Sequence, residues 1–164
     1  ALPIWAAGPS RPTALIAPGG GLIGVLGPEG RALDHPGAEG YAAARWLRRD
    51  GDAAAQDEAA ARAGLSRDPP WAEADIGAGW RLIRLEGRAP RAAVSARCRP
   101  RVVLIAPDLT FPTPLRPCRA FDGQALSALG ALSLDPSGAD PGLRAAAEAA
   151  GDRLWTRPGG AAAQ

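Results

Sequence analysis

The run of residues 101–106, Arg-Val-Val-Leu-Ile-Ala, constrains the fold of this chain more than any other stretch. An unbroken series of apolar and β-branched residues favours a strand, and a strand without polar alternation is typical of a sheet buried on both faces. We therefore predict a central strand here, with other parts of the chain packed on both of its faces. A length of 164 residues is enough for one domain with a real core.

Shorter apolar runs predict the other strands. Two of them flank Pro18 and three glycines and are expected to form a hairpin. In another, Trp80 and Leu82 share one face with Arg84, so the alternation of apolar and polar residues is imperfect. The predicted strands cover residues 13–17, 22–26, 31–33, 80–86 and 131–134.

Residues 41–52 give the densest local signal in the sequence. Trp46 and Leu47 provide a helix over residues 39–50 with an apolar face. Gly51 is expected to end that helix, because glycine tolerates the left-handed conformation that a helix C-terminus commonly needs.

A second helix is predicted to follow at once, over residues 53–63. Asp52 is a candidate N-cap, whose carboxylate would accept from free backbone N–H groups. Glu58 and Arg62 stand at the i, i+4 spacing of a helical ion pair, and Gly64 is a candidate C-cap.

The rest of the chain is expected to be rich in turns, because it contains 21 Gly and 17 Pro. Aromatic residues make up only 5%, so the five Trp must contribute much of the core. The predicted class is α+β, a small mixed sheet with a few packed helices. Less regular segments are a loop at 65–79, an ambiguous stretch at 91–96, an extended or turned segment at 107–117, a short helix or loop at 121–129, a helix at 142–150 and a strand at 153–156.

The apolar residues 1–10 lack the basic start of a signal peptide, and we interpret them as a first core segment or the end of a membrane-proximal segment. The uncharged run of residues 12–28 contains too much Gly and Pro to cross a bilayer as a helix. Met is absent, which is typical of a fragment or a processed product. We expect one soluble domain over residues 11–157 and a disordered tail over residues 158–164.

A glycine-rich loop at residues 19–24 matches the spacing G-x-G-x-x-G of dinucleotide-binding proteins. In those proteins a helix follows the glycines and directs its N-terminus at the phosphates. Here a strand and a turn follow, so a hairpin turn is the better interpretation of these glycines.

His35 is the only histidine, which excludes a zinc site with several His ligands. It stands in a turn-like Asp-His-Pro-Gly sequence and is predicted to be exposed rather than catalytic. No pair of carboxylates has a spacing that suggests acid–base catalysis. We therefore predict no catalytic residue, no metal, no cofactor and no small-molecule ligand.

Cys98 and Cys118 flank the central strand and the Pro-rich segment. Two cysteines without further partners make a poor metal site. We favour a disulfide formed in an oxidising compartment over two buried thiols.

Three arginines share one face of the first predicted helix, because Arg45, Arg48 and Arg49 stand at i, i+3 and i+4. This face, with other arginines at positions 97, 99 and 101, is a candidate contact for phosphates. The alternative is a solvated face with Glu39 and Asp50 nearby. All basic residues are Arg, and a net charge of +2 is too small to indicate a nucleic-acid-binding protein by itself.

Several motifs together resemble the C-terminal region of ComEC competence proteins, the inner-membrane channels for DNA uptake in transformable bacteria. The resemblance covers most of the chain and keeps the order of the motifs. It is carried by the stretches at residues 22–33 and 46–52, the Glu-Ala-Ala-Ala-Arg of 58–62, Cys98, the strand at 102–105, the Pro-Cys of 117–118, the Gly-Ala-Leu of 130–132 and the Arg-Leu-Trp of 153–155.

This resemblance implies an extracytoplasmic domain of an inner-membrane channel, derived from a metallo-β-lactamase-like domain. Many members of that family carry a nuclease at this place, but the H-x-H-x-D-H metal cluster of metallo-β-lactamases is missing from this chain. The resemblance therefore implies a degenerate, non-catalytic layer, and 164 residues are short for the full four-layer fold. The implied partners are single-stranded DNA and the rest of the channel.

Two other functions fit the same sequence. One is a metal-dependent hydrolase of metallo-β-lactamase-like ancestry, with ligands drawn from Asp and Glu. The other is a structural cap that stabilises the channel without touching DNA.

Overall fold

A computed structural model of the chain describes residues 11–150. Within this range the chain forms ten strands and five helices, which confirms the α+β class. The strands are β1 (Ala14–Ile16), β2 (Ile23–Gly27), β3 (Gly30–Leu33), β4 (Ser66–Asp68), β5 (Trp71–Asp75), β6 (Arg81–Leu85), β7 (Val102–Ala106), β8 (Arg119–Asp122), β9 (Leu132–Leu134) and β10 (Leu143–Ala145). The helices are α1 (Gly40–Arg49), α2 (Gln56–Ala61), α3 (Arg91–Arg97), α4 (Gly123–Leu129) and α5 (Ala146–Ala150).

The strands form two sheets of five strands each. The first sheet has the order β10-β9-β1-β2-β3 and is antiparallel throughout. The second sheet has the order β4-β5-β6-β7-β8, in which β6, β7 and β8 run parallel to one another. The predicted single small mixed sheet is thus one antiparallel and one mixed sheet.

The two sheets pack face to face around the main hydrophobic core. This core takes every second residue of the inner strands, as expected for strands with one face toward each neighbouring layer. Its largest fully buried members are Ile16, Ile23, Leu82, Ile105, Leu126, Leu132 and Leu134, and Trp80 is buried among them.

Helices cover both outer faces. On the first sheet, α1 and α2 pack over β1–β3 with Trp46, Leu47 and two alanines. On the second sheet, α3 and the segment at residues 107–118 cover β6 and β7. The chain therefore forms four layers in the order helix, sheet, sheet, helix, although we expected its length to be short for such a fold. Strands of only three to five residues make this possible.

The central strand is confirmed. All five residues of β7 are buried, and β7 lies between β6 and β8. Val103 and Ile105 face the first sheet, whereas Val102 and Leu104 face α3. The hairpin of β1 and β2 is also confirmed, with the glycines in its turn.

The prediction of a loop over residues 65–79 is wrong, because this segment contains β4 and β5. Pro69 and Pro70 form the turn between these two strands rather than ending the regular structure. The buried face of β5 presents Ala72 and Ala74, which are too small to give a recognisable strand pattern.

The helix predicted at residues 142–150 is partly wrong. Its first part forms β10, which pairs with β9, and only α5 is helical. The segment at 121–129 begins as the end of β8 and continues as α4, whose N-cap is Asp122. The ambiguous stretch at 91–96 is helical, within α3.

Gly51 ends α1 as predicted, with a φ of 73°. The N–H of Asp52 donates to the carbonyl of Leu47, and the N–H of Gly51 donates to the carbonyl of Arg48. These two bonds form a Schellman motif.

The predicted caps of α2 are wrong. Asp52 is not its N-cap, because α2 begins four residues later, after Ala55. Its carboxylate binds Arg62, so Arg62 pairs with Asp52 rather than with Glu58, which accepts from the Ala55 N–H. Gly64 is not the C-cap, because α2 ends at Ala61 and Arg62 is its C-cap.

Among the described residues, two arginines are buried inside the molecule. Arg31 bonds Asp50 at 2.6 Å on the first sheet. Arg84, on the second sheet, donates to Asp34 at 2.8 Å and to the carbonyls of Gly20 and Gly21 on the first. These bonds explain why a charged residue interrupts the alternation in β6, because Arg84 bridges the two sheets.

The predictions for residues 1–10, for the strand at 153–156 and for the tail at 158–164 lie outside the described residues. Among the residues that are described, no helix combines the length and the apolar character needed to cross a membrane.

Candidate nucleic-acid interface

Helix α1 separates its apolar and its basic residues. Trp46 and Leu47 are buried against the first sheet, whereas Arg45, Arg48 and Arg49 are exposed. The helical repeat of 3.6 residues produces this separation directly from the sequence. The predicted arginine face therefore exists on the surface of the molecule.

A groove of about 470 Å³ runs beside this helix. It exists because α1 and α2 pack over β1–β3, while β9 and β10 extend the same sheet beyond them. Cross-strand pairing places Leu15, Ser133 and Arg144 in one row over β1, β9 and β10. With strands about 4.8 Å apart, this row carries Arg144 roughly 10 Å from Leu15. The groove thus has an apolar floor, with α1 on one side and Arg144 on the other.

Within residues 11–149, three of the lining residues are arginines and none is acidic. Arg45 and Arg49 come from α1, and Arg144 comes from β10. In the part of the chain that the structure describes, no carboxylate lies within 4.0 Å of these guanidinium groups. The groove is therefore a basic surface, and its charge is exposed to solvent.

The two acidic residues that the sequence places near the arginine face point elsewhere. Asp50 turns inward and binds Arg31. Glu39 lies against Gly21, in the turn that follows β1. Neither forms an ion pair with an arginine of α1 within the described residues.

Tyr41 stands at the start of α1 and also lines the groove. Its exposed fraction is 81%, and it is the large hydrophobic side chain that stands out as exposed among residues 11–149. An exposed aromatic ring on a rigid helix is a surface on which a planar group such as a nucleobase can stack. One groove therefore combines an aromatic ring with three cations.

The structure divides the predicted trio of arginines. Arg45 and Arg49 line the groove, whereas Arg48 is exposed on the same helix outside it. Tyr41 was not singled out from the sequence, although its position four residues before Arg45 places both on one helical face. Arg144 had no signal in the sequence, because its segment was predicted to be helical.

The other predicted sites are structural. His35 is partly buried rather than exposed, and its Nδ1 accepts from the N–H groups of Gly37 and Ala38, which fixes the turn before α1. In the glycine-rich turn, the backbone at Gly20 approaches Leu126 so closely that a Cβ would lie 2.8 Å from its Cδ1. Here glycine allows close packing, and the carbonyls of Gly20 and Gly21 accept from Arg84.

Cys98 and Cys118 are joined by a disulfide with an S–S distance of 2.00 Å. The bond connects the end of α3 to the residue before β8, and both cysteines are buried. The N–H of Cys118 also donates to the sulfur of Cys98. The pair thus closes the Pro-rich segment against the second sheet.

Residues 11–149 contain no group of three or more His, Cys, Asp or Glu side chains arranged to hold a metal ion. Comparison with known proteins identified no matching family model, no matching curated protein and no matching solved structure.

Proposed function

We propose that this chain is a non-catalytic C-terminal domain of a ComEC-type DNA-uptake channel, and that its groove binds single-stranded DNA. The observation that carries the proposal is the combination of Tyr41, Arg45, Arg49 and Arg144 in a groove to which the described residues contribute no carboxylate. Proteins that bind single strands without sequence preference use a basic groove to follow the backbone and aromatic side chains to stack the bases.

The chemistry of the groove favours a single strand over a duplex. A base can stack on Tyr41 only when its face is open, and in a duplex both faces are covered by neighbouring bases. The guanidinium groups of Arg45, Arg49 and Arg144 match phosphate oxygens through paired N–H donors. Ser133 adds a hydroxyl group to the lining. Every polar side chain of the groove thus suits a nucleic-acid backbone.

The ordered resemblance to ComEC proteins supports a place in DNA uptake, with the rest of the channel as second partner. The four layers of helix, sheet, sheet and helix suit a metallo-β-lactamase-like ancestry. The missing His cluster supports a role without hydrolysis. On this proposal the domain lies on the extracytoplasmic side of the inner membrane, where the strand passes.

The proposal is tested by measuring the affinity of a labelled oligothymidine for the domain over a series of salt concentrations. Each phosphate contact should contribute roughly 0.7 to the slope of log affinity against log salt concentration. The double variant Arg45→Gln/Arg49→Gln should reduce both the affinity and the slope. Arg48→Gln is the matched control for the single variants Arg45→Gln and Arg49→Gln, because it removes the same charge from the same helix outside the groove, and it should change the slope less than either of them.

Tyr41 separates stacking from charge. Replacement by Ala should weaken binding by about 1–3 kcal/mol without changing the slope, whereas Tyr41→Phe should bind like the original chain. No binding at low salt would overturn the proposal and leave the structural cap as the better explanation. Cleavage of the oligonucleotide that a chelator abolishes would show that the domain is a nuclease instead.

A further inference from the structure

A second basic site lies on the second sheet and shares no lining residue with the groove. It is a pocket of about 250 Å³ at the first residues of β6 and β7, beside the end of α3. Of the residues that the structure describes, four arginines line it, at positions 81, 97, 99 and 101, with Glu73 as the one acidic residue. Three positive charges in excess therefore surround one small cavity.

The ion pairs in this pocket are loose. The Nη1 of Arg81 lies 3.6 Å from Oε2 of Glu73, and the Nε of Arg97 lies 3.6 Å from Oε1 of the same carboxylate. This distance is beyond hydrogen-bond range, so their donors remain available to another acceptor. The Nε of Arg97 is buried and has no hydrogen-bond partner among the described residues. A buried donor without a partner is rare in folded proteins, and either a small shift of Glu73 or a bound anion would supply its acceptor.

Two of the guanidinium groups are held in place before any ligand arrives. Arg97 stacks over the ring of Trp71, with its Cζ 4.2 Å from the ring centre. Arg101 donates to the carbonyl of Ala78 at 2.7 Å and crosses Gly79, where a Cβ would lie 3.2 Å from its Nη1. Groups fixed in this way lose little freedom on binding.

The backbone at Arg101 gives an independent indication. Its φ is 59°, in the left-handed region, which an L side chain occupies at a cost and which glycine occupies freely. Ala78, whose carbonyl accepts from Arg101, has a φ of 52°. Strained positions of this kind gather at ligand sites. A position suited to glycine thus carries an arginine whose side chain lines the pocket.

We propose that this pocket binds a phosphate group, as a free ion or as the terminal phosphate of a larger molecule. Planar guanidinium groups bind phosphate oxygens through pairs of N–H donors. The cavity is smaller than the roughly 300–1,000 Å³ of ordinary small-molecule sites, which suits a small anion. Glu73 lies between Arg81 and Arg97, 3.6 Å from each, and can accept a hydrogen bond from a phosphate that carries a proton. The inference does not depend on DNA binding in the groove.

The experiment is an NMR titration of the chain with inorganic phosphate, following the arginine Nε–H resonances, with chloride at equal ionic strength as reference. Phosphate should shift the Arg97 resonance saturably, and chloride should not. The tryptophan fluorescence should change over the same range of phosphate concentrations. Comparison with Trp71→Phe identifies the part of this change that comes from Trp71. Equal responses to phosphate and chloride would overturn the proposal.

Arg101→Gly is the decisive variant, because it relieves the left-handed backbone while it removes one guanidinium. It should fold at least as stably as the original chain and bind phosphate at least tenfold more weakly. Arg88→Gln removes an exposed arginine away from the pocket and should bind normally. Unchanged affinity in Arg101→Gly, or an equal loss in Arg88→Gln, would refute the assignment.

Two oligothymidines, with and without a 5′-phosphate, distinguish the possible sources of the ligand. A larger Arg97 shift with the phosphorylated than with the unphosphorylated oligonucleotide would identify a strand terminus as the ligand. If the two oligonucleotides give equal shifts and only free phosphate gives a saturable one, the ligand is a soluble ion. Both results support a phosphate site. Arg45→Gln/Arg49→Gln should leave phosphate binding unchanged, so failure of this proposal and failure of DNA binding in the groove are separable.

Discussion

The interior of the molecule and the groove beside α1 use arginine in opposite ways. Inside, Arg31 binds Asp50 at 2.6 Å and Arg84 binds Asp34 at 2.8 Å. In the groove, Arg45 and its neighbours have no carboxylate within 4.0 Å among the described residues. Since every basic residue of the chain is Arg, the difference comes from where the carboxylates are placed.

The physical reason for this placement is the cost of burying charge. A buried guanidinium needs a partner, because an unpaired charge in the interior is strongly destabilising, whereas an exposed one is solvated by water. Burial also raises the pKa of Asp34, while the nearby Arg84 opposes that shift. The carboxylates at positions 34 and 50 are thus committed to the interior. The groove keeps its positive charge for a partner outside the chain.

The largest effect is expected at the pair of Arg31 and Asp50. Asp50→Ala would leave Arg31 buried without its counter-ion and should lower the free energy of unfolding by about 3–5 kcal/mol. Denaturation in urea measures this change. The double variant Arg31→Met/Asp50→Leu removes both charges and should lose much less, because apolar residues of similar size can replace a buried ion pair. An equal loss in both variants would contradict the explanation.

The disulfide is expected to have the next largest effect. Cys98 and Cys118 are 20 residues apart. Closing a loop of that length lowers the conformational entropy of the unfolded chain and thereby stabilises the folded state by about 3 kcal/mol. Denaturation with and without a reductant measures the difference. Cys98→Ala/Cys118→Ala should match the reduced protein and should not respond to reductant. Two freely reactive thiols in the native protein would contradict the bond.

A smaller, pH-dependent effect is expected at Asp122. Its carboxylate accepts from the N–H groups of Phe111 and Ala125, and these bonds lower its pKa below the ordinary 3.8. The stabilisation that the Asp122 carboxylate gives the folded state is therefore fully present above pH 3.8, the ordinary pKa. It is lost as the pH falls through the lower pKa of the folded state. Asp122→Ala should cost about 1 kcal/mol near neutral pH.

The matched control for Asp122 is Asn, which keeps an acceptor for the helix N-terminus and cannot titrate. Denaturation over a pH series should show the stabilities of the original chain and Asp122→Asn converging as the pH falls below 3.8. Asp52, whose pKa is lowered chiefly by its bond to Arg62, titrates in both proteins and cancels from the comparison. A constant difference at all pH values would show that the carboxylate of Asp122 contributes no pH-dependent stability.

Local patterns in the sequence predicted the parts of the fold that local forces determine. The apolar run of β7, the glycines of the β1–β2 turn and the end of α1 at Gly51 each follow from a few neighbouring residues. The sequence did not predict β5, because the inner face of this strand is mostly alanine. It did not predict β10, because the local preference of these few residues is helical and only the pairing with β9 makes them a strand.

The candidate groove was predictable only in part, for the same reason. Arg45 and Arg49 lie on one helix, so their common face follows from helical spacing. Arg144 joins them through sheet pairing that brings β10 beside β9, and such a contact between distant segments leaves no periodic pattern in the sequence. The inward turn of Asp50 was equally hidden, since it depends on Arg31 lying beneath α1.

The smallest effect on stability is expected in the groove, and it tests the comparison most directly. Arg45→Gln, Arg49→Gln and Arg144→Gln together remove three exposed charges that have no partner in the described structure. Exposed substitutions of this kind usually change stability by less than about 0.5 kcal/mol each, and relief of mutual repulsion makes a small gain the expected sign. Urea denaturation of the triple variant beside Arg48→Gln measures this, and single-stranded DNA should bind the triple variant far more weakly. A loss of more than about 2 kcal/mol would mean that these arginines stabilise the fold, and the contrast with the buried pairs would disappear.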